Sequence, residues 1–382
     1  MAGLYIHIPF CISKCAYCSF YSEGGYSEVP QAYLDALVVD AVQEAPLWQD
    51  HQFETVFIGG GTPSLLKPRD LERLLAAVRE SFHLAREPEI TIEVNPGTID
   101  SSQLSDYADL GVGRISVGVQ SMIADELRFL GRSHSPTQAL AALAWARRAN
   151  LTSINADVIL GIPGQTLKTL TWTITTLLER IDHISCYLLS IDRGTPLCER
   201  VKAGGIDLPS ETSICCLYAR ASDVIAAKGF EHYEVSNWCK PGHRCRHNLN
   251  YWRRGEYLGL GAGAHSYWNE KRYMRVRNWK LYVDLLANGK SPVASVENLT
   301  RGQAVLEELM LGLRTSSGIN LSWLSAVAPG RRLAEVIDDL LGLGLVVKEG
   351  ENLSLSPKGM LLEGAIVERL ADELAPSQPL LR

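Results

Sequence analysis

The feature that most restricts the fold of this chain is an alternation of apolar, β-branched runs with longer amphipathic stretches. Segments such as QAYLDALVVDAVQEA and PRDLERLLAAVRESF separate the runs and repeat their apolar residues with a period near 3.6, which predicts helices. Six βα units in succession predict a parallel sheet and an α/β fold. The predicted strands are residues 4–10, 55–61, 89–96, 114–121, 154–163 and 183–192.

Polar and glycine residues fall at or near the carboxyl ends of these predicted strands. GGGT at 59–62 ends the second strand, Glu93 lies in the third, Gln120 in the fourth and Asp157 in the fifth. A closed barrel and an open doubly wound sheet both fit the alternation, and in either fold the carboxyl ends of the strands form the active face. The placement of these residues favours a barrel-like curve.

The pattern changes towards the carboxyl terminus. Two helical segments, AVLEELMLGLR and RRLAEVIDDLLGLG, precede a hairpin pattern, LVVKEGENLSLSPKG, with a polar turn at 349–352. This order predicts a winged-helix-like domain, so we expect a first domain over residues 1–290 and a second over 291–382. Residues 301–382 contain 8 Lys and Arg against 11 Asp and Glu, which argues against DNA binding.

Composition and charge exclude several classes of protein. The net charge over 382 residues is -6, which argues against a nucleic-acid partner, and 46% hydrophobic residues is ordinary for a globular protein. No run approaches the roughly 18 uncharged apolar residues of a membrane span. The start, MAGLYIHIPFC, lacks the pattern of a secretion signal. We expect a cytoplasmic protein with at most peripheral membrane association.

Three of the nine cysteines are spaced as ligands, in CISKCAYCSF at 11–20. The spacing C-x3-C-x2-C, on a loop after the first strand, brings Cys11, Cys15 and Cys18 to one place. A structural zinc site normally takes four protein ligands, so three would leave zinc one short. An iron–sulfur cube bound by three cysteines keeps one iron open to a small molecule. The spacing favours the iron–sulfur cluster, with zinc or inert thiols as the alternative.

The stretch YIHIPFCISKCAYCSF, with Tyr17 just before the third cysteine, resembles the radical S-adenosylmethionine (SAM) superfamily. The resemblance implies a partial (β/α)6 radical SAM barrel in which Cys11, Cys15 and Cys18 hold a [4Fe-4S] cluster. It also implies that SAM chelates the fourth iron, and that an electron from the cluster can cleave SAM.

Further motifs resemble one family of that superfamily, the oxygen-independent coproporphyrinogen III oxidases. EVNPGT, RISVGVQS, LGRSH and DVILGIPGQT occur in order, so the resemblance covers nearly the whole chain. The positions implied to contact the cluster-bound SAM are Tyr5, Tyr17, Gly60 and Glu93. The positions implied to line a second SAM or substrate site are Gly61, Thr62, Gln120, Arg132 and Asp157. Carboxylates can accept hydrogen bonds from ribose hydroxyls, and an arginine suits a carboxylate.

Two departures from the oxidases point to one branch of that family. The oxidases have a fourth cysteine where this chain has Phe20, and they carry a long extension before the cysteines for which this chain has no room. Both features resemble the HemW-type haem chaperones, which share the pattern H-N-x-x-Y-W found here at 247–252. The resemblance assigns haem binding to His247, and imidazole is a common axial ligand of haem iron.

The predicted function is that of a haem chaperone, which binds haem and transfers it to acceptor haem proteins such as respiratory enzymes. The alternative is a radical SAM enzyme acting on a tetrapyrrole, as a coproporphyrinogen III oxidase or a haem methyltransferase. The resemblance also implies a homodimer. The segment GLGAGAHS at 259–266 has a loose glycine pattern, which predicts a close-packed return segment near the SAM site rather than a dinucleotide site.

Overall fold

The computed structural model describes residues 2–328 and 331–374. The strands are β1 (Ala2–Ile8), β2 (Gln52–Gly60), β3 (His83–Val94), β4 (Arg114–Gln120), β5 (Ser153–Leu160), β6 (His183–Leu188), β7 (Glu231–Glu234), β8 (Asn237–Cys239), β9 (Tyr257–Leu260), β10 (His265–Trp268), β11 (Lys271–Arg275), β12 (Val293–Asn298), β13 (Ile319–Asn320), β14 (Val346–Glu349) and β15 (Asn352–Leu355). The α-helices are α1 (Gln31–Glu44), α2 (Pro68–Ser81), α3 (Ser101–Asp109), α4 (Ala124–Leu130), α5 (Pro136–Arg148), α6 (Leu167–Leu178), α7 (Pro196–Lys202), α8 (Glu211–Ala226), α9 (Arg246–Trp252), α10 (Trp279–Ala287), α11 (Arg301–Leu313), α12 (Leu321–Val327), α13 (Arg331–Gly342), α14 (Pro357–Met360) and α15 (Glu363–Ala371).

A twelve-stranded sheet in the order β12-β11-β10-β9-β1-β2-β3-β4-β5-β6-β8-β7 forms most of the fold. Strands β1 to β6 pair in sequence order and in parallel, as the predicted βα units require. The sheet continues on both sides through antiparallel pairs, β6 with β8 and β9 with β10. The predicted α/β fold with a parallel partial barrel is confirmed.

The two faces of the parallel strands differ in polarity, because successive side chains of a strand point to opposite sides. In β1, Leu4, Ile6 and Ile8 are buried in the apolar core. Tyr5 and His7 point to the other face, which we call the lumen of the curved sheet. Further polar lumen residues are Glu93, Ser116, Asp157 and Ser185. The lumen thus offers hydrogen-bonding groups where other β/α barrels pack branched apolar side chains.

The sequence predicts six parallel strands, and the structure adds a seventh, β9, which pairs in parallel with β1. Its four residues follow the seven-residue helix α9 rather than a full βα unit, so the periodicity does not reveal it. The segment after β9 packs closely, as predicted for 259–266. Gly261 has a φ of +101°, and a Cβ there would lie 2.7 Å from the carbonyl oxygen of His7. Glycine tolerates both this conformation and this approach.

A separate apolar core supports the carboxyl-terminal elements. Helix α11, β13, α12, α13, β14 and β15 follow one another in the order of a winged helix, and β13, β15 and β14 form a three-stranded sheet. The hairpin turns between Glu349 and Asn352, at the predicted position. Fully buried members of this core are Leu309, Leu313, Leu324, Leu353 and Leu370. The predicted presence of a winged-helix-like carboxyl-terminal domain agrees with this arrangement.

The division of the chain at residue 290 stays a prediction. Strand β12 follows that position and pairs with β11 in the large sheet. Residues 329–330 and 375–382 of the predicted second domain lie outside the described residues. Across the described ranges, every helix is too short or too polar to cross a lipid bilayer.

A buried ion pair ties the antiparallel part of the sheet to the first helix. Asp40 of α1 is 0% exposed and Arg275 of β11 is 1% exposed; Arg275 Nε lies 2.9 Å from Asp40 Oδ2, and its Nη2 lies 3.0 Å from Oδ1. Asp40 also accepts hydrogen bonds from the Tyr282 hydroxyl at 2.7 Å and the N–H of Gly261 at 3.2 Å. Glu44 lies 2.9 Å from Arg275 Nη2. These bonds offset the desolvation that burial costs each charge.

Arg275→Met is expected to lower the free energy of unfolding by about 3–5 kcal/mol, because it leaves the Asp40 carboxylate buried without its cation. Arg73→Met is the matched control, since Arg73 pairs with Asp35 at 2.6 Å on the surface, where a pair contributes about 0–1 kcal/mol. Urea denaturation followed by circular dichroism measures both variants. Equal effects of the two substitutions would contradict the structural importance of the buried pair.

Candidate functional site

The three cysteines lie on a loop that follows β1 and is fixed by main-chain hydrogen bonds. The N–H of Cys11 donates to the carbonyl of Glu23 at 2.9 Å, and the N–H of Cys18 donates to the carbonyl of Cys15 at 3.2 Å. All three thiols are free; Cys11 is buried, and the other two are half-buried. Burial raises the pKa of the Cys11 and Cys18 thiols. Thiols of this kind lose their protons when a metal takes them as ligands.

One buried guanidinium faces this cysteine loop. Arg132, in the segment after α4, places Nη1 3.5 Å from the Sγ of Cys15, and its Nη2 donates to the carbonyl of Gly118 at 2.8 Å. Within the described part of the chain, its buried Nε has no hydrogen-bond partner. The unused N–H leaves a donor, on a positively charged group, for an anionic ligand.

Two glycines bring the end of β2 against the cysteine loop. Gly60 has a φ of +119°, and a Cβ there would lie 2.5 Å from the His7 ring. A Cβ at Gly61 would lie 2.8 Å from the carbonyl oxygen of Phe10 and 3.0 Å from the Sγ of Cys11. Only glycine permits this approach, so the bare main chain of GGGT forms one side of the site.

Two carboxylates, Glu93 of β3 and Asp157 of β5, face the lumen near these glycines. Glu93 Oε2 accepts from the N–H of Gly60 at 3.0 Å, and Asp157 accepts from Ser116 at 3.1 Å and from Asn155 at 2.8 Å. Burial, followed by the charge of Asp157, raises the pKa of Glu93 to about 7. Burial also raises the pKa of Asp157. Both acceptors would gain from a donor or a cation that entered the lumen.

Gln120, Arg132 and Thr62 surround the same space. Gln120 ends β4 with a φ of +66° and is buried. A Cβ at Gly118 would lie 3.1 Å from Arg132 Nη2 and 3.2 Å from Gln120 Nε2, so these two side chains meet over a glycine. Thr62 is buried, and its hydroxyl partly offsets the effect of burial on the pKa of the Cys11 thiol.

The two predicted tyrosines lie on different sides of the site. The hydroxyl of Tyr5 is hydrogen-bonded to His7 Nδ1 at 2.8 Å, and its ring stacks on Phe57 with centroids 6.2 Å apart. Tyr17 packs against a small apolar cluster formed by Leu130, Ile159 and Ile162. Burial raises the pKa of both hydroxyls, which therefore stay protonated as hydrogen-bond donors at neutral pH.

The donor set fits a group held by thiolates. Free thiols are the ligands of iron–sulfur clusters, a glycine main chain leaves room beside Cys11, and Arg132 adds a positive charge beside Cys15. Within residues 2–328 and 331–374, no three His, Cys, Asp or Glu side chains converge as ligands of one metal ion.

His247, the predicted haem residue, lies elsewhere, on α9 at the amino ends of the strands. It is 1% exposed, and its ring nitrogens are bonded to the Thr55 hydroxyl at 2.7 Å and the Tyr251 hydroxyl at 2.8 Å. The centroids of its ring and the Phe57 ring are 5.1 Å apart in a stacked arrangement. The main-chain N–H of His247 donates to a carboxylate oxygen of Glu89 at 3.0 Å. Burial lowers the pKa of His247 to about 3. In this conformation neither nitrogen is open to iron, and His247 is apart from the cysteines.

A cavity of about 560 Å³ opens beside the cysteine loop. We call it the loop cavity. Its aromatic lining residues are Tyr5, Phe20, Tyr21, Tyr251, Tyr257 and Tyr267. Its lining also includes His265 and Arg277, which the sequence motifs do not mark as functional. The histidine within GLGAGAHS is the signal that could have drawn attention to this segment.

The comparisons with known proteins agree with this geometry. The family model for the radical SAM superfamily matches residues 5–177, and that for the HemN C-terminal domain matches residues 299–362. Heme chaperone HemW of Mycobacterium tuberculosis (strain H37Rv) is 36% identical over 374 residues, which span 96% of this chain and 94% of that protein. This chain belongs to the HemW family.

Other relatives of this chain come from a bacterium and from an animal. Heme chaperone HemW of Escherichia coli K12 is 40% identical over 266 residues, which is 69% of each chain. The mitochondrial radical S-adenosyl methionine domain-containing protein 1 of Bos taurus is 35% identical over 378 residues, covering 94% of this chain and 82% of that protein. The branch predicted from Phe20 and the H-N-x-x-Y-W pattern is therefore confirmed.

A solved structure shows the same fold as this HemW-family chain. Coproporphyrinogen III oxidase (HemN) from Escherichia coli superposes with a TM-score of 0.81 at 24% identity, covering 98% of this chain and 90% of that one. The two proteins share the α/β fold over almost their whole length.

Replacing Cys11, Cys15 or Cys18 by Ala is expected to abolish the brown iron–sulfur chromophore, because each thiolate is needed as a ligand. Cys216→Ala, at an exposed position of α8, is the control and should retain it. Iron content and visible absorption after anaerobic reconstitution are the measurements. Anaerobically purified protein with zinc on these thiols would contradict the iron–sulfur assignment.

Glu93→Gln is expected to remove a pH dependence of stability. A carboxyl whose pKa rises from 4.5 to about 7 on folding contributes stability below pH 4.5 that is lost as the pH rises through 7. At about pH 8 the free energy of unfolding of the variant should exceed that of the wild type by up to about 3 kcal/mol. At about pH 5 this difference should be smaller. Denaturation of the cluster-free proteins measures this, with Glu87→Gln, exposed on the same strand, as control. A gap that does not change with pH would rule out the raised pKa.

Proposed function

We propose that this protein is a haem chaperone, which binds haem and transfers it to acceptor haem proteins such as respiratory enzymes. The observation that carries the proposal is the loop cavity, whose aromatic walls and arginines suit a flat ligand with two carboxylates. Relatives that match 96% and 98% of this chain are named heme chaperones, which supports the same function.

Cys11, Cys15 and Cys18 are proposed to hold a [4Fe-4S] cluster through their thiolates. Arg132, 3.5 Å from Cys15 Sγ, would stabilise the negative charge of that thiolate. The main chain at Gly61 leaves the space that a Cβ would fill beside Cys11.

The proposed SAM residues are those implied by the family resemblance. Tyr5, Tyr17, Gly60 and Glu93 would contact SAM at the cluster. The proposed residues of a second SAM or substrate site are Gly61, Thr62, Gln120, Arg132 and Asp157. When bound, the cluster and SAM supply the chemistry of reductive SAM cleavage. In a carrier we propose a structural or gating role for SAM, with Glu93 accepting hydrogen bonds from its hydroxyl or ammonium groups.

His247 enters this proposal through its neighbour. It holds the Tyr251 hydroxyl at 2.8 Å, and Tyr251 lines the loop cavity. A side chain at 247 that could not make this bond would release Tyr251 from the wall. His247 is therefore proposed to support haem binding by fixing Tyr251.

Three further expectations belong to the proposal. The protein is proposed to be cytoplasmic with at most peripheral membrane association, to form a homodimer and to have no nucleic-acid partner. The net charge of -6 supports the last of these.

The competing function is that of a radical SAM enzyme acting on a tetrapyrrole, as a coproporphyrinogen III oxidase or a haem methyltransferase. The polar lumen favours it, because Glu93 and Asp157 are buried acceptors with raised pKa values, which are common in active sites. Phe20, which stands where the oxidases have a fourth cysteine, favours the chaperone.

The reconstituted protein is expected to bind haem stoichiometrically, to pass it to an apo-haem protein, and to form no protoporphyrinogen IX from coproporphyrinogen III. A haem titration followed by absorbance tests the first two points. Anaerobic incubation with coproporphyrinogen III, SAM and a reductant tests the third. The Cys15→Ala variant is the control that separates haem binding from effects of the cluster. Protoporphyrinogen IX or methylated haem among the products would establish the competing function instead.

A further inference from the structure

The loop cavity contains an imidazole with no protein partner. His265 is the first residue of β10; it is exposed, and it lines the cavity. In the described chain, neither of its ring nitrogens takes part in a hydrogen bond. An accessible imidazole with a free lone pair is a potential metal ligand.

The other two histidines near the cavity are occupied. His7 Nδ1 is 2.8 Å from the Tyr5 hydroxyl, and its Nε2 is 2.9 Å from the carbonyl oxygen of Tyr21. Both nitrogens of His247 are bonded as well, and Tyr251 lies between His247 and the cavity. His265 is therefore the histidine of this group that can bind iron without breaking a bond of the fold.

Positive charge lines the same cavity. Arg254, Arg272 and Arg277 line it together with Glu307, so three arginines against one glutamate give +2. Glu307 lies 2.5 Å from Arg272 Nη2 and 3.4 Å from Arg254 Nε. Two glutamates outside the cavity lining also contact these arginines. Arg254 pairs with Glu270, and Arg272 lies 3.8 Å from Glu297.

Arg277 is different from these two arginines. It is exposed, and across the described ranges it forms no ion pair with a carboxylate. Because Glu270 and Glu297 offset the charges of the other two arginines from outside the lining, Arg277 is the guanidinium that can take a carboxylate of a haem through paired N–H donors.

Aromatic rings supply flat walls. Tyr251 and Tyr257 meet edge to face with centroids 4.7 Å apart, and Tyr267 lies under the Arg254 guanidinium at 5.2 Å. Phe20 is 69% exposed on the cysteine-loop side. Such rings gain from packing against the face or edge of an aromatic macrocycle.

We propose that haem binds in the loop cavity with the imidazole of His265 as an axial ligand of the iron and with a propionate paired to Arg277. The assignment rests on the proposed function, in which the protein carries haem. It adds to that function the place where haem binds and the side chain that binds its iron. A nitrogen lone pair of His265 forms the Fe–N bond and replaces a weak ligand such as water. The oxidation state of the iron does not change, so no further reactant is needed.

The environment of His265 suits this role. Partial desolvation of the ring at the cavity wall, followed by the charges of Arg277 and Arg272, lowers the pKa of His265 from 6.5. The ring is therefore mainly neutral at pH 7, and a neutral imidazole can ligate iron without first losing a proton.

The test is a hemin titration of the full-length protein with its reconstituted cluster, followed by absorbance and electron paramagnetic resonance. His265→Ala is expected to weaken binding by at least about tenfold and to lose the signature of a histidine ligand. His265→Met is expected to bind haem with the signature of a methionine ligand. Arg277→Glu should weaken binding by about tenfold but keep the wild-type signature.

Two variants are controls. His83→Ala, at an exposed position of β3, should bind haem as the wild type does. His247→Ala, which loses the bond to Tyr251 and is expected to bind haem more weakly, should still keep the histidine signature, because His265 remains in place. Circular dichroism and cluster absorbance check that each variant is folded. Because His265→Met retains a long side chain, it decides the question if His265→Ala does not fold.

Wild-type affinity and signature in both His265 variants would overturn the assignment. A loss of the histidine signature in His247→Ala, with the signature intact in His265→Ala, would overturn it as well. Failure of the wild-type protein itself to bind haem is a different result, since it refutes the proposed function on which the assignment rests.

Discussion

The carboxylate of Asp40 fixes the part of the molecule that forms the loop cavity. It lies on α1, the helix between the first two parallel strands, yet it binds the N–H of Gly261 and the guanidinium of Arg275. These two residues lie on either side of His265 in sequence. The segment between them is thereby held to the helical layer at both ends. The shape of the cavity thus depends on a charge pair outside its lining, in which each member must keep its partners.

The lumen contains a buried network of polar side chains around Asn155. Asn155 bonds Ser116, Asp157 and Ser185, and it also lies 2.7 Å from His183 Nδ1. These groups satisfy one another, which makes a buried polar network tolerable. Towards the cysteine loop, the buried Nε of Arg132 has no partner in the described part of the chain, and the carboxyls of Glu93 and Asp157 have raised pKa values. The desolvation of these carboxyls therefore falls where a hydrogen-bond donor that entered the lumen would stabilise them most.

The sequence predicts those features of the structure whose pattern lies within one continuous stretch of residues. It does not predict features that depend on contacts between distant parts of the chain. The six parallel strands were predictable, because each βα unit repeats its own pattern of apolar residues. Strand β9 was not, since only its pairing with β1 identifies four residues after a short helix as part of the sheet. The glycines at 60 and 61 were found through a motif, and the structure supplies the reason for them. The burial of His247 could not be read from its motif, because Thr55 and Phe57, which enclose it, come from a distant strand. The loop cavity escaped prediction for the same reason, since its walls combine β1, β10 and α11.

Helix α9 and the turn before it have a consequence for the two ends of the barrel. Glu89 of β3 accepts the N–H of His247, and Arg114, the first residue of β4, donates to the carbonyl of His243 at 3.0 Å. These bonds hold the helix and its turn across the amino ends of the strands, where they form the base of the barrel. The base and the cysteine loop therefore lie at opposite ends of the same parallel strands. His247, whose ring also bonds the Thr55 hydroxyl of β2, is one of the residues that fasten that base to the sheet.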